Sequence, residues 1–309
     1  MAVTGGCGFI GSHLIQRLRQ SDARVLAIDS LKYGRRENLD LSDPGIRLEQ
    51  LELCRGSAVR IRALLKGVDY LFHLAAEKHN QSIHSPERVL DANVIGTYEL
   101  LDAAADAEVK KVVFTSSLYA YGRMNGPPMA EDEVPMPQTV YGISKLAGEH
   151  LCRQFSIERK ISTMCLRLFF VYGPRQYSGL GYKSVIVKNF GRMLNGQKPL
   201  IFGDGTQQLD YVYVDDVVSA LLLAMKDTSG FGLFNVGSGS GVSVNELSSL
   251  MMEVAGVNTP CEYGPADFTN GSCRVANTSR FNDHFGFHSR VPLSDGLRHT
   301  FDWMTSARR

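Results

Sequence analysis

Tyr141-Gly142-Ile143-Ser144-Lys145 sets a phenol and an ammonium four residues apart, on one face of a helix. A tyrosine ordinarily titrates near ~10, too high for a base at neutral pH. A neighbouring ammonium, joined by an oxidised nicotinamide ring, favours the phenolate and lowers that value. Such a pair can take a proton from an alcohol while hydride leaves the same carbon for the nicotinamide. The spacing alone is common on surface helices. Its meaning comes from its company: the hydroxyl run Thr115-Ser116-Ser117 and, near the start of the chain, a glycine loop and an acid-ended strand.

That loop is "VTGGCGFIGSHL", with Gly5, Gly8 and Gly11 three apart between a short apolar stretch and a helical pattern. Glycine lets a pyrophosphate approach the backbone without interference from a Cβ, and the helix N-terminus offers N–H groups and partial positive charge. The GxxGxxG spacing differs from GxGxxG in its first interval. Asp29 supports the same reading. It ends an apolar run, 24–29, roughly twenty residues on, where a carboxylate accepts hydrogen bonds from the adenosine ribose. A 2′-phosphate would meet like charge there, which favours NAD over NADP; Lys32, Arg35 and Arg36 soften that preference.

The elements that must carry these residues follow from the pattern. Strand-like runs at 24–29, 68–74, 112–116 and 161–170 alternate with helical patterns at 11–20, 58–65, 87–105 and 141–158. Such alternation predicts an α/β fold, a Rossmann-type doubly wound parallel sheet with helices on both faces. Only Met1–Thr4 precede the glycine loop, so the first strand is expected to be truncated, or the true start to lie upstream. Beyond residue 170 the texture changes. The expectation is a dinucleotide-binding domain over 1–170 and a smaller substrate-binding lobe over 171–309, with some segments crossing back. The 309 residues are 44% hydrophobic and 21% charged with a net charge of +1, which gives no electrostatic case for nucleic acid or an anionic membrane. Cys7, Cys54, Cys152, Cys165, Cys261 and Cys273 form no CxxC pair and have no histidine at ligand spacing, so no metal is expected. With no leader-like segment before the loop and no apolar run of membrane-spanning length, the expected setting is a reducing cytoplasm.

With these residues in place the sequence resembles the extended short-chain dehydrogenases/reductases, in their nucleotide-sugar epimerase/dehydratase branch. The resemblance runs through nearly the whole chain: "TGGCGFIGSHL", "AIDSLKYGRREN", "FHLAAEKHNQSIHSP", "DANVIGTYELLDAA", "TSSLYAYG", "VYGISKLAGEH", "LRLFFVYGPRQ", "FGDGTQQLDYVYVDDVV" and "FNVGSGSGVSVNEL". It implies NAD as cofactor, with Gly5, Gly8, Phe9 and Ile10 at the pyrophosphate and Asp29 and Ser30 at the adenosine ribose. Glu52 and Leu53 fall near the adenine. Leu74, Ala75, Ala76, Lys78 and Thr115 line the cofactor, and Asn93 supports their loop. Tyr141 is then the base, Lys145 its electrostatic partner and nicotinamide-ribose ligand, and Ser117 a hydrogen-bonding partner of the reacting sugar oxygen. Ser117, Tyr119, Tyr141, Phe170, Lys183 and Arg274 are the implied substrate-binding set, and a homodimer through the helices at 87–105 and 141–158 is the implied assembly.

Departures from the branch narrow its chemistry. Dehydratases resemble one another in an Asp-Glu pair directly after the position of Ser117, where this chain has Leu118 and Tyr119. A leucine transfers no proton, and a phenol lacks the basicity of a carboxylate. C4 epimerization of a nucleoside-diphosphate sugar, UDP-linked, needs no further acid and is the leading expectation. A 4-ketoreductase, dehydrogenase or dehydratase is the alternative, and an NAD-binding regulator without catalysis is a different class. Phe170 stands where many relatives have asparagine, and Leu209 where an arginine commonly grips the diphosphate; Arg274 and Lys183 are the cations left for that task. Asn277 replaces a common aspartate.

Overall fold

In the computed structural model, which describes residues 1–124, 126, 128–176, 184–227, 229–267 and 269–307, the glycine loop emerges from a three-residue strand, β1 (Ala2–Thr4). Five more strands lie in register beside it: β2 (Val25–Asp29), β3 (Ile46–Gln50), β4 (Tyr70–His73), β5 (Lys111–Ser117) and β6 (Ser162–Leu168). Neighbours pair in parallel, with Thr4 opposite both Ile28 and His73, and Ser117 opposite Leu168. A seventh strand, Phe231–Val236, adds beyond β6, giving the order Phe231–Val236, β6, β5, β4, β1, β2, β3. The chain winds outward in both directions from β1, and the order reverses between β1 and β4. In such sheets the crevice for a ligand opens at the carboxyl ends of the strands flanking that point. β1 is indeed short, yet both its neighbours hold it.

Burial explains why these runs are strands. All seven residues of β5 are buried, as a strand covered on both faces requires. β3, missed by the sequence reading, is the outer strand, and its Ile-Arg-Leu-Glu-Gln is only partly covered. Its charges hid it from an apolar-run criterion. Around the sheet stand α1 (Phe9–Arg19), α2 (Ala58–Leu65), α3 (Gln81–His84), α4 (Pro86–Leu90), α5 (Gly96–Asp106) and α6 (Val140–Glu158). The pattern at 87–105 is therefore not one α-helix. A π-helical turn, Asp91–Ile95, separates α4 from α5 and carries Asn93 inward; such turns concentrate at functional sites.

The chain divides into two compact units. The first comprises Met1–Gly122, Glu133–Leu168 and Val218–Phe234; the second Arg123–Asp132, Phe169–Val217 and Asn235–Arg309. In the second unit the strand Phe170–Tyr172 pairs in parallel with Tyr211–Tyr213. Gln208–Leu209 lies between Val242–Ser243 and Cys273–Arg274. A capping box, Ser243 with Glu246, starts the helix Val244–Ala255, and left-handed Gly256 ends it. Asp210, fully buried, accepts backbone N–H bonds from Ser238, Gly239 and Ala276 and so fixes the glycine-serine loop that follows Val236. The run read as one strand at 161–170 divides at Leu168, and the two pieces belong to different units.

Candidate active site

The cofactor half is built where β1 runs into α1. Gly5 turns the chain with φ 70°, and a Cβ on Gly11 would lie 2.2 Å from the Gly5 carbonyl oxygen. Only hydrogen at that position lets the helix begin directly against the loop. Gly8 caps α1 without a side-chain hydrogen bond, and no acid occupies the first turn. The N–H groups of the first turn, which have no carbonyl partner within the helix, and its partial positive charge are left for an anion. Thr4 fastens the opposite wall: its carbonyl accepts Leu74 N–H at 3.2 Å, and its Oγ1 accepts Ala75 N–H at 3.2 Å and bonds His73 Nδ1 at 2.8 Å. The segment of Leu74 and Ala75 is thereby laid along the glycine loop, with Ala76 next in line.

Asp29 ends β2, buried, with Oδ2 accepting Cys7 N–H at 2.9 Å and Oδ1 accepting Leu31 N–H at 2.8 Å. Burial pushes its carboxyl above the usual range, and the Leu31 and Cys7 bonds pull it back. Each oxygen keeps a further lone pair, so the carboxylate fits ribose hydroxyls. Ser30 turns its hydroxyl to Lys32 N–H at 3.3 Å. The cation at Lys32 is itself engaged, in an ion pair with Glu77. These features fit a dinucleotide: a loop open to the pyrophosphate, a helix end facing it and an acid at the ribose.

The predicted catalytic residues sit on β5 and α6. Thr139 starts α6, its Oγ1 accepting Gly142 N–H at 3.0 Å, and Ser144, Lys145, Gly148, Glu149, Cys152 and Phe155 form the buried stripe. Tyr141 and Lys145 lie one turn apart on this helix, with the Lys145 ammonium 5.8 Å from the Tyr141 ring centroid. Lys145 Nζ donates to the Thr115 carbonyl at 2.9 Å, and Thr115 Oγ1 donates to the His73 carbonyl at 3.2 Å. The Tyr141 and Ser117 hydroxyls are hydrogen-bonded to one another, and Ser117 Oγ accepts Tyr119 N–H at 3.3 Å. The three predicted catalytic side chains are thus brought together. Burial raises the Tyr141 phenol to about 12, against the pull of the Ser117 bond, and lowers Lys145 to about 8 against the attraction of Glu149. The downward shift expected of Tyr141 is not present in the protein alone, because desolvation outweighs its neighbours.

The remaining candidates divide by location. Asn93 accepts Glu77 N–H at 2.7 Å and donates to the Glu77 carbonyl and to Ser144 Oγ, both at 3.1 Å; it ties the loop after β4 to α6. Lys78, on that loop, is lowered to about 8 by burial against the pull of Glu77. Leu53 packs its side chain into the hydrophobic core, and the Glu52 carboxylate meets Arg88 at 3.4 Å. Leu118 is buried and carries no group that could transfer a proton. Tyr119 stacks on His79, with centroids 4.4 Å apart, and meets the edge of Tyr141 at 5.8 Å. Phe170 and Arg274 stand in the second unit, Phe170 paired with Tyr211, and Arg274 buried beside Leu209's strand with Nε on Ser272 Oγ at 3.1 Å. Lys183 lies outside the described residues. Sequence reasoning passed over Glu77 and His79, although both stand in the motif "FHLAAEKHNQSIHSP". Nothing in spacing distinguishes a buried carboxylate there from a solvated one.

A doubly wound parallel sheet with a glycine loop at its centre and a Ser–Tyr–Lys cluster on β5 and α6 is the arrangement that suits a dinucleotide and an alcohol. The chain belongs to the NAD-dependent epimerase/dehydratase family, whose model matches residues 1–237. It is 32% identical over 305 residues to the UDP-glucose 4-epimerase of Mycolicibacterium smegmatis, covering 97% of each chain. Its structure is similar to that of the UDP-glucose 4-epimerase of Thermotoga maritima with UDP-glucose, with a TM-score of 0.92, 33% identity and coverage of 100% of this chain and 99% of that one. It is also 30% identical over 312 residues to the dTDP-glucose 4,6-dehydratase of Streptomyces griseus, covering 98% of this chain and 93% of that protein.

Proposed function

We propose that this chain interconverts the C4 epimers of a UDP-linked sugar by transient oxidation at C4. The observation that carries the reading is the hydrogen-bonded Tyr141–Ser117 pair one helical turn from Lys145, combined with buried Leu118 and with Tyr119 where a dehydratase needs acids. NAD, when bound, supplies a reversible hydride acceptor. Tyr141 Oη takes the proton of the C4 hydroxyl and later returns it. Ser117 Oγ, already bonded to Tyr141, holds the reacting oxygen in line. Lys145 supplies positive charge on the helix face of Tyr141 and a donor for the cofactor ribose, its ammonium being steadied by the Thr115 carbonyl. With Leu118 unable to move a proton, the C5–C6 bond is left alone and the ketone can only be reduced again, on either face. Gly5, Gly8, Phe9, Ile10, Asp29, Ser30, Glu52, Leu53, Leu74, Ala75, Ala76 and Lys78 are the proposed cofactor contacts. Tyr119, Phe170 and Arg274 are the proposed sugar-nucleotide contacts.

Purified protein incubated separately with UDP-glucose, UDP-N-acetylglucosamine and UDP-glucuronate is expected to yield a C4 epimer from one of them, resolved by anion-exchange chromatography, with no net change in NADH. A 4-keto-6-deoxy product would overturn the reading in favour of dehydration, and stoichiometric NADH consumption in favour of a ketoreductase. The assembly we infer is a homodimer in the cytoplasm. Tyr98 on α5 and Ile143 and Ile157 on α6 are 48%, 47% and 55% exposed, apolar side chains on the two helices that the inferred two-fold contact would use. Among the described residues no helix is long and apolar enough to cross a membrane. Sedimentation at the monomer mass would exclude the dimer.

A further inference from the structure

A buried carboxylate outside the proton chemistry joins the two loops that flank the cofactor loop. Glu77 follows β4 and its side chain is 5% exposed, yet it takes partners from the loop after β2. The Lys32 ammonium pairs with Oε1, and the Tyr33 hydroxyl donates to Oε2 at 2.8 Å. Lys78 Nζ, beside Glu77, lies 4.3 Å from the centroid of the Tyr33 ring. The backbone of Glu77 is in turn held by Asn93, which also bonds Ser144, the residue before Lys145. Because β1 lies between β2 and β4 in the sheet, a link between the loops after β2 and β4 spans the carboxyl end of β1, where the glycine loop begins.

We propose that Glu77, through Lys32 and Tyr33, is a latch that retains the dinucleotide between turnovers. The proposal rests on the reading of the glycine loop as the NAD site. A dinucleotide lying along that loop has the loop after β2 on its ribose side and the loop after β4 on its nicotinamide side, and it leaves when the two part. Parting strips a buried carboxylate of an ammonium and a hydroxyl together, and a buried charge without its partners is strongly disfavoured. The Coulombic part of the latch acts in a partly dry setting, with Lys32 only 30% exposed, so salt screens it less than a surface pair. Glu77 is a positioning residue here, acting on the loops and not on the sugar.

The test is the dissociation of adenine-labelled NAD from the full-length holoenzyme, chased with excess unlabelled NAD and followed by filter binding. Glu77→Gln keeps the shape and removes the charge. Lys32→Met removes the same ion pair from its exposed side and leaves the buried position untouched, so it decides the matter should Glu77→Gln fail to fold. The latch requires release at least about tenfold faster in Lys32→Met and in a folded Glu77→Gln. Parent-like release from folded variants overturns the latch while leaving the NAD site intact. Failure of the parent itself to bind labelled NAD overturns the reading of the site, and the latch with it.

Discussion

Tyr141 shows what a buried phenol costs and what must compensate. Raised to about 12 by burial, it is a neutral donor at physiological pH, while Lys145, lowered to about 8, sits close to losing its proton. Both shifts share one cause, a dry pocket that penalises charge of either sign. With NAD bound, a positive nicotinamide near the phenol would favour the phenolate, so that base strength would arrive with the cofactor. The expected outcome is a tyrosinate absorbance titration whose most mobile component moves to lower pH when NAD is added, and which loses that component in Tyr141→Phe. The same variant should lose about 10²- to 10⁴-fold in kcat, the usual contribution of a general base, while binding labelled NAD within a few-fold of the parent. Loss of NAD binding in step with kcat would assign Tyr141 to holding the cofactor and not to the chemistry.

α6, which carries the proposed base, is anchored from behind. Glu149, one turn after Lys145, pairs with Arg167 on β6 through Nε at 2.9 Å and Nη2 at 2.7 Å, and also accepts the Ser116 hydroxyl from β5. The Arg167 guanidinium lies 4.4 Å from the Tyr121 ring centroid, and both members of the pair are almost fully buried. Such a pair contributes little over an apolar isostere, but removing one member leaves a charge in a dry core. Glu149→Gln should therefore cost about 3–5 kcal/mol in urea unfolding, whereas Glu149→Leu combined with Arg167→Met should recover most of that loss. A single variant as stable as the parent would show that Arg167 finds another partner or water. Much of this element was legible: the helical pattern at 141–158 begins one residue from the observed start. The anchor was not, because a Glu and an Arg eighteen residues apart give no periodic signal. Similarly, 87–105 has helical periodicity throughout, and only the packing of Asn93 against Glu77 and Ser144 shows why a π turn interrupts it.

At the scale of the whole molecule, the sheet holds one group whose titration reports on folding itself. The α/β alternation made the sheet legible; the return of Phe231–Val236 to its edge was not, since apolar runs do not name their partners. In the middle of the sheet His73, fully buried in β4, is held between Thr4 Oγ1 at 2.8 Å and Thr97 Oγ1 at 2.9 Å. Burial lowers its pKa from 6.5 to about 3, assisted by the charge on Lys145. The native imidazole therefore stays neutral where the unfolded one takes a proton. Between these two values the unfolded state binds more protons, so stability rises with pH and is lost as pH falls from 6.5 toward 3. From pH 7 to pH 5 this one group withdraws about 2 kcal/mol. His73→Gln, which offers a donor and an acceptor but does not titrate, should lower stability at pH 7 and flatten the fall to pH 5 by that amount in urea unfolding. An unchanged slope would mean that His73 titrates alike in both states and that the sheet admits a proton between Thr4 and Thr97.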